Sequence, residues 1–212
     1  MKLRSALREL VPPIFMHGLR APSGGHATLF DGQDSLFREL LAESSVYGEY
    51  GVGLSTLVAV NEFEVQVQAV DTSQQWIQYV LMNDQGSKDK SRLSIEWVDL
   101  GPIGDWGRPL SYSRMESFYS YTDSIWRTEL HPDLVLIDGR FRVACFFQTM
   151  LRCAPGTRVL FDDYNGREHY HVVEKVLSPV ASHGRQALFI IPQTYDVTSV
   201  RELRDKFLMV MD

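Results

Sequence analysis

Short apolar runs separated by helix-like stretches dominate this chain, and the runs share a second property: each ends in an acid. Residues 46–50, 65–70, 93–98, 134–137 and 157–161 read as strands. At their carboxyl ends stand Glu49, Asp71, Asp99, Asp138 and the pair Asp162-Asp163. Before, between and after them, residues 34–43, 55–62, 73–84, 114–128, 142–153, 167–176 and 198–209 read as helices. Strands alternating with helices predict a parallel sheet joined by crossovers. Residues 177–191 break the alternation, with two strands around the turn His183-Gly184-Arg185, which predicts an antiparallel pair at the sheet edge. The expected fold is α/β: a Rossmann-like, mostly parallel sheet with an antiparallel C-terminal hairpin and helices on both faces.

The chain of 212 residues is long enough for one well-buried core, and nothing in it reads as a linker. One domain over 1–212 is expected. Residues 34–212 form its core, preceded by a short amphipathic helix over 2–10 and a glycine-rich candidate lid within 1–33. His17 and His26 lie in that segment. Hydrophobic residues make up 44% and charged residues 23%, so disorder is not expected. A formal net charge of −6 argues against general nucleic-acid binding, which depends on neutralising phosphates. The two cysteines, Cys145 and Cys153, fall about two helical turns apart, too far for a disulfide. With no signal peptide and no apolar run of membrane-spanning length, the cytoplasm is the expected location.

In open α/β sheets ligands bind outside the carboxyl ends of the strands, where these acids stand. The turn after the first strand reads Glu49-Tyr50-Gly51-Val52-Gly53-Leu54-Ser55-Thr56. Gly51 and Gly53 permit a tight bend and close approach of a ligand to the backbone. Asp71 lies where an acid would accept hydrogen bonds from ribose hydroxyls. A dinucleotide site favours a small residue where Thr56 stands and an apolar one where Glu49 stands. A carboxylate at Glu49 repels a pyrophosphate but suits an ammonium group, which favours S-adenosylmethionine over NAD. No Gly-Lys-Ser/Thr follows, which excludes a P-loop.

On these residues the chain resembles the class I S-adenosylmethionine-dependent methyltransferases, over about residues 40–192. The motif Glu-x-Gly-x-Gly-x-Ser-Thr is similar to their first cofactor motif, and Asp71, Asp99 and the closing hairpin agree with it. Val98-Asp99-Leu100-Gly101-Pro102, Trp106-Gly107-Arg108-Pro109, the run from Asp133 to Arg142 and Phe161-Asp162-Asp163-Tyr164 resemble, more narrowly, a bacterial group of methyltransferase-like proteins of unassigned substrate. The resemblance implies cofactor contacts from Glu49, Gly51, Gly53 and neighbouring Ser55, ribose contacts from Asp71 and adenine-side contacts near Asp99.

Asp138, Asp162 and Asp163 close neighbouring strands, and three oxygen donors beside an open site suit a hard cation such as Mg²⁺. This is similar to the metal-dependent catechol-type O-methyltransferases. The alternative is that these acids cap helices or pair with Arg140 or Arg142. Arg140 and Arg142 could equally grip an anionic substrate. Asp138 and His169 are the candidate catalytic residues, with His171 a second candidate base. Among the tryptophans Trp76, Trp97, Trp106 and Trp126, Trp106 in its Gly/Pro loop is the one expected at the ligand.

The expected activity is S-adenosylmethionine-dependent methyl transfer to oxygen or nitrogen of a small-molecule or glycan-like acceptor. The competing readings are a non-catalytic cofactor-binding module and an NAD-dependent oxidoreductase. Nucleic acid is not an expected partner, and a homodimer is the quaternary option.

Overall fold

The computed structural model describes residues 29–85 and 90–211. The helix expected over 2–10 and most of the candidate lid, including His17 and His26, lie outside the described residues.

Thirteen regular elements follow one another in the described residues. They are α1 (Ser35–Ala42), β1 (Val46–Tyr50), α2 (Leu54–Glu62), β2 (Gln66–Asp71), α3 (Gln74–Asn83), β3 (Leu93–Trp97), α4 (Phe118–Asp123), β4 (Leu134–Ile137), α5 (Arg142–Arg152), β5 (Arg158–Phe161), β6 (Ala181–His183), β7 (Gln186–Ile190) and α6 (Val197–Phe207). The strands form one sheet in the order β3-β2-β1-β4-β5-β7-β6. The first five are parallel, and β7 runs antiparallel to both β5 and β6. This is the expected architecture, hairpin included.

The central strands β4 and β5 are nearly continuous apolar runs because the sheet is covered on both faces there, whereas the outer β3 and β6 are only partly buried. One face packs Tyr50, Val135, Ile137, Val159 and Phe161 against α4, α5 and α6. The other packs Tyr47, Val67, Leu134, Leu136 and Leu160 against α1, α2 and α3. Strand order reverses between β1 and β4, so the crevice above those two strands is the topological switch point.

Three expectations need correction. The helix expected over 114–128 is instead α4 flanked by 3₁₀ turns at Met115–Ser117 and Ser124–Trp126. The stretch 167–176 is a 3₁₀ segment, Glu168–Lys175, rather than an α-helix. The helix expected over 73–84 carries Trp76, Ile77, Val80 and Leu81 as its apolar face, but on α3 Val80 is buried and Leu81 points to solvent. Asp34 stands at the N-cap of α1, yet its carboxylate accepts from Arg38 (2.6 Å) and not from a backbone N–H. Cys145 is buried inside α5, Cys153 is half-buried at its C-cap, and the two form no disulfide with each other.

Candidate active site

The turn after β1 is assembled from the inside. Glu49 is wholly buried, one residue before the end of its strand. Its carboxylate accepts hydrogen bonds from the Ser55 hydroxyl and from the Thr56 hydroxyl (2.6 Å), both in the first turn of α2. Thr56 Oγ1 in turn accepts from the Gly53 N–H at 2.9 Å. Strand, turn and helix are thus tied through one threonine. Burial pushes the Glu49 carboxyl from 4.5 up to about 7, because the hydroxyls that hold it bring no positive charge.

Gly51 sits against the loop after β4. Its φ is +90°, and a Cβ there would come within 2.8 Å of the Gly139 Cα. The switch-point crevice therefore requires glycine at that position. A Cβ on Gly53 would meet no protein atom within 4 Å. Gly53 lines the cavity, so a side chain there would take up room that a ligand could use.

Asp71 closes the turn from the neighbouring strand. Its Oδ2 accepts from the Val52 N–H at 2.8 Å, and its Oδ1 from the Ser73 N–H at 2.6 Å. Burial raises its carboxyl to about 6, against the opposing pull of these backbone bonds. Its edge still lines the cavity. Two accepted bonds leave lone pairs on both oxygens, so Asp71 can accept hydroxyl protons from a ligand while bracing the turn.

The cavity holds about 550 Å³. One half is lined by residues 51–55, Asp71 and Thr72, the other by Asp138, Asp163, four arginines and Phe30. The second half is a salt-bridge network. Arg142 is 3.0 Å from Asp138 and 3.1 Å from Asp163. Arg167 is 2.8 Å from Asp163. Arg185 holds both oxygens of Asp162 and lies 3.5 Å from Asp163. Burial, together with the neighbouring Asp162 carboxylate, keeps the Asp138 carboxyl well above the usual carboxylate range. Strain gathers here as well. Among the described residues, the non-glycine residues with left-handed backbone are Phe30, Asp31, Trp106, Phe141 and Asp163. Phe30, Trp106 and Asp163 line this cavity, Asp31 reaches Arg185 at 3.4 Å, and Phe141 follows Arg140. Such conformations persist where the surroundings impose them, commonly at functional sites.

No family model matches the chain, nor does any curated protein. Solved structures do. A methyltransferase-like protein from Silicibacter pomeroyi is 34% identical, with a TM-score of 0.74 over 86% of this chain and 96% of that one. The chain belongs to a family of methyltransferase-like proteins with the class I methyltransferase fold. The cofactor-bound protein Rv0187 from MTB (13% identity, TM-score 0.53, 91% of this chain and 90% of that one) shares the fold. So does a candidate caffeoyl-CoA O-methyltransferase from Staphylococcus aureus (10%, 0.51, 90% and 97%).

Within this methyltransferase fold, the residues expected at the site fall into distinct places. Gly51, Gly53, Ser55, Asp71 and Asp138 line one cavity. Glu49 does not: it lies beneath the turn, so the direct ammonium contact expected of it is replaced by a bracing role. Asp99 lies in an adjoining cavity of about 600 Å³ that shares Thr72, Trp76 and Trp106 with the first. There it accepts from the Gly101 N–H and sits 3.4 Å from Arg114.

His169 is exposed and outside the cavity, its ring against Tyr170. The 3₁₀ segment Glu168–Lys175 leaves it beyond the cavity lining, and no catalytic role is assigned to it. His171 is bound to the Tyr164 carbonyl (3.1 Å) and stacked on that ring. Trp106 lines the cavity as expected, whereas Trp126 is core.

The metal expectation meets a different obstacle. Among the described residues, Asp138, Asp162 and Asp163 do offer oxygens within 4.8 Å of one another. Guanidinium groups already engage all three, so the donor set as placed does not fit a resident Mg²⁺.

The sequence reading missed Thr56, Phe30, Arg167 and Arg185. Thr56 carried a signal, a hydroxyl in the first helical turn after a buried acid. Arg167 is four residues from Asp163, a spacing that pairs charges on one helical face. Arg185 and Phe30 carried none, because only the tertiary fold brings the hairpin and residues 29–32 to this edge.

No helix of the described residues is long and apolar enough to cross a membrane.

Proposed function

We propose that this chain binds S-adenosylmethionine in the half of the cavity lined by the glycine turn, and that it methylates an oxygen or nitrogen of a small-molecule acceptor held in the other half. The observation that carries this reading is Asp71. Its carboxylate is aimed by the Val52 and Ser73 N–H groups and faces the cavity at the switch point. A buried, pre-aimed acid there suits ribose hydroxyls. The bare backbone of Gly53, where a Cβ would meet no protein atom, leaves room for a cofactor lying against the turn.

When bound, the cofactor supplies a methyl group on a positively charged sulfur. The chain's own part is positioning and proton handling. The Glu49–Thr56–Gly53 relay keeps the turn rigid, so that the cofactor half does not adjust on binding. Asp138 borders the cavity with a raised carboxyl, which suits it to take the proton that the acceptor releases. No step is assigned to a metal.

Titration calorimetry with S-adenosylmethionine, S-adenosylhomocysteine and NAD separates the readings. Binding of the first two without NAD is expected. NAD binding alone would make the chain an oxidoreductase. Cofactor binding with no methyl transfer to any acceptor tried would favour a binding module. Asp71→Ala should weaken S-adenosylhomocysteine binding roughly 10- to 100-fold, the range for loss of charged hydrogen bonds. Unchanged affinity would remove Asp71 from the site.

A further inference from the structure

We infer that the second half of the cavity is an acceptor subsite for a small molecule bearing a carboxylate or phosphate group, received by Arg167 and Arg185 beside the ring of Phe30. The inference rests on the proposed function, which assigns the other half to the cofactor.

Depth within the network is the first observation. Arg167 is 46% exposed and Arg185 35%, against 30% for Asp138, 18% for Asp163 and 0% for Asp162, while Arg142, at 5%, is buried among the acids. Four arginines but only Asp138 and Asp163 of the three clustered acids line this cavity. Arg167 and Arg185 are therefore the members of the cluster most open to an entering molecule. The buried carboxylates fix those donors in place, which lowers the entropy lost when they grip a ligand.

The arginines differ in what they have left to give. Arg142 is spent: it is buried, and its three nitrogens donate to the Gly139, Asp162 and Asp138 carbonyls. Arg167 gives one terminal nitrogen to Asp163 and the other to the Tyr170 hydroxyl at 3.3 Å. A guanidinium has five N–H groups, so Arg167 keeps donors for a planar anion. Arg185 is braced by Asp162 within and Asp31 outside.

Phe30 supplies the apolar wall. Its ring lies beneath the Arg185 guanidinium, 5.8 Å from centroid to Cζ, and is held edge-on by Phe37 at 5.5 Å. Its left-handed backbone (φ 52°) keeps it at the cavity. An aromatic face beside a cationic edge matches an anion carried on an apolar body. If the arginines served only to neutralise the acids, the cavity would not discriminate by ligand charge.

The test uses benzoate and benzamide, which share shape and differ in charge, titrated into full-length protein saturated with S-adenosylhomocysteine. Inorganic phosphate is titrated in parallel to separate a carboxylate from a phosphate preference. Benzoate or phosphate should bind at least about tenfold more tightly than benzamide, the size expected from one charge-assisted bidentate contact. Arg167→Met should weaken the preferred anion about fivefold or more, with S-adenosylhomocysteine affinity kept within about twofold. Arg167→Lys, which keeps the charge but loses the fork, should fall between, and it serves if the methionine variant does not fold. Equal binding of benzamide and the anions, no binding by any probe, or an Arg167 variant with full affinity would each overturn the inference. Failure of this kind with S-adenosylhomocysteine still bound leaves the cofactor reading standing. Loss of S-adenosylhomocysteine binding by the wild type overturns both.

Discussion

The two halves of the cavity use the same residue type in opposite ways. Glu49 and Asp71 are buried acids held by hydroxyls and backbone N–H groups. Asp138, Asp162 and Asp163 are acids held by guanidinium groups. Neutral donors orient a carboxylate without cancelling its charge, so burial raises Glu49 to about 7 and Asp71 to about 6. Arginines cancel charge but must themselves be carried into the interior. The first half is thus tied together by neutral hydrogen bonds, and the second by ion pairs that depend on every partner, with Asp138 still held well above the usual carboxylate range by burial and by Asp162. A neutral-to-acidic wall suits a cationic cofactor, and a cationic rim suits an anion. The chain separates the two across one crevice.

The largest expected effect tests the second half. Arg142→Leu takes the guanidinium from Asp138 and the donors from three backbone carbonyls, while Asp163 keeps Arg167, and it should cost about 3–5 kcal/mol in urea unfolding at pH 7.5. A loss below about 1 kcal/mol would mean that the network behaves as a surface one, and the contrast between the halves would fail.

Glu49→Gln tests the first half through pH. The native carboxyl titrates near 7 and the unfolded one near 4.5, so folding takes up a proton between these values. The stabilisation is fully present below the lower value and is lost as pH rises through the upper one. Wild-type protein should lose on the order of 3 kcal/mol across that window from this residue. The glutamine variant should show a correspondingly flatter profile in unfolding at pH 5 and pH 8. Identical slopes for the two proteins would place the titration elsewhere.

Thr56→Val should have the smallest effect, about 1–2 kcal/mol, because it removes one hydroxyl that serves Gly53 and Glu49 while keeping the shape. The sharper readout is cofactor affinity. A several-fold loss would show that the relay organises the turn for binding, and an unchanged value would confine Thr56 to stability.

Much of the fold was legible because its signals are local. Alternating apolar runs marked all five parallel strands, and His183-Gly184-Arg185 marked the hairpin. The failures share a cause. Residues 114–128 and 167–176 carry apolar periodicity, but only Phe118 and Tyr121 are buried from an α-helix, whereas Ile125, Trp126, Tyr170 and Val173 are buried from 3₁₀ turns. Periodicity reports which residues are buried, not whether three or 3.6 of them complete a turn. His169 lies on one of these 3₁₀ segments, beyond the cavity lining.

Sequence alone pointed to the chain's family, to a mostly parallel sheet and to the edge of that sheet where chemistry is placed, since alternating elements and acids at strand ends are visible in one dimension. It also marked the glycine turn as the one to approach a ligand, whereas the strand order and the contact with Gly139 that demands glycine at Gly51 were decided by the fold. What each acid does was decided by the tertiary structure. Glu49 faces inward to Ser55 and Thr56, and Asp162 is claimed by Arg185, 23 residues away across the hairpin. A carboxylate's role depends on what reaches it through space, and distance through space is set only when the sheet closes.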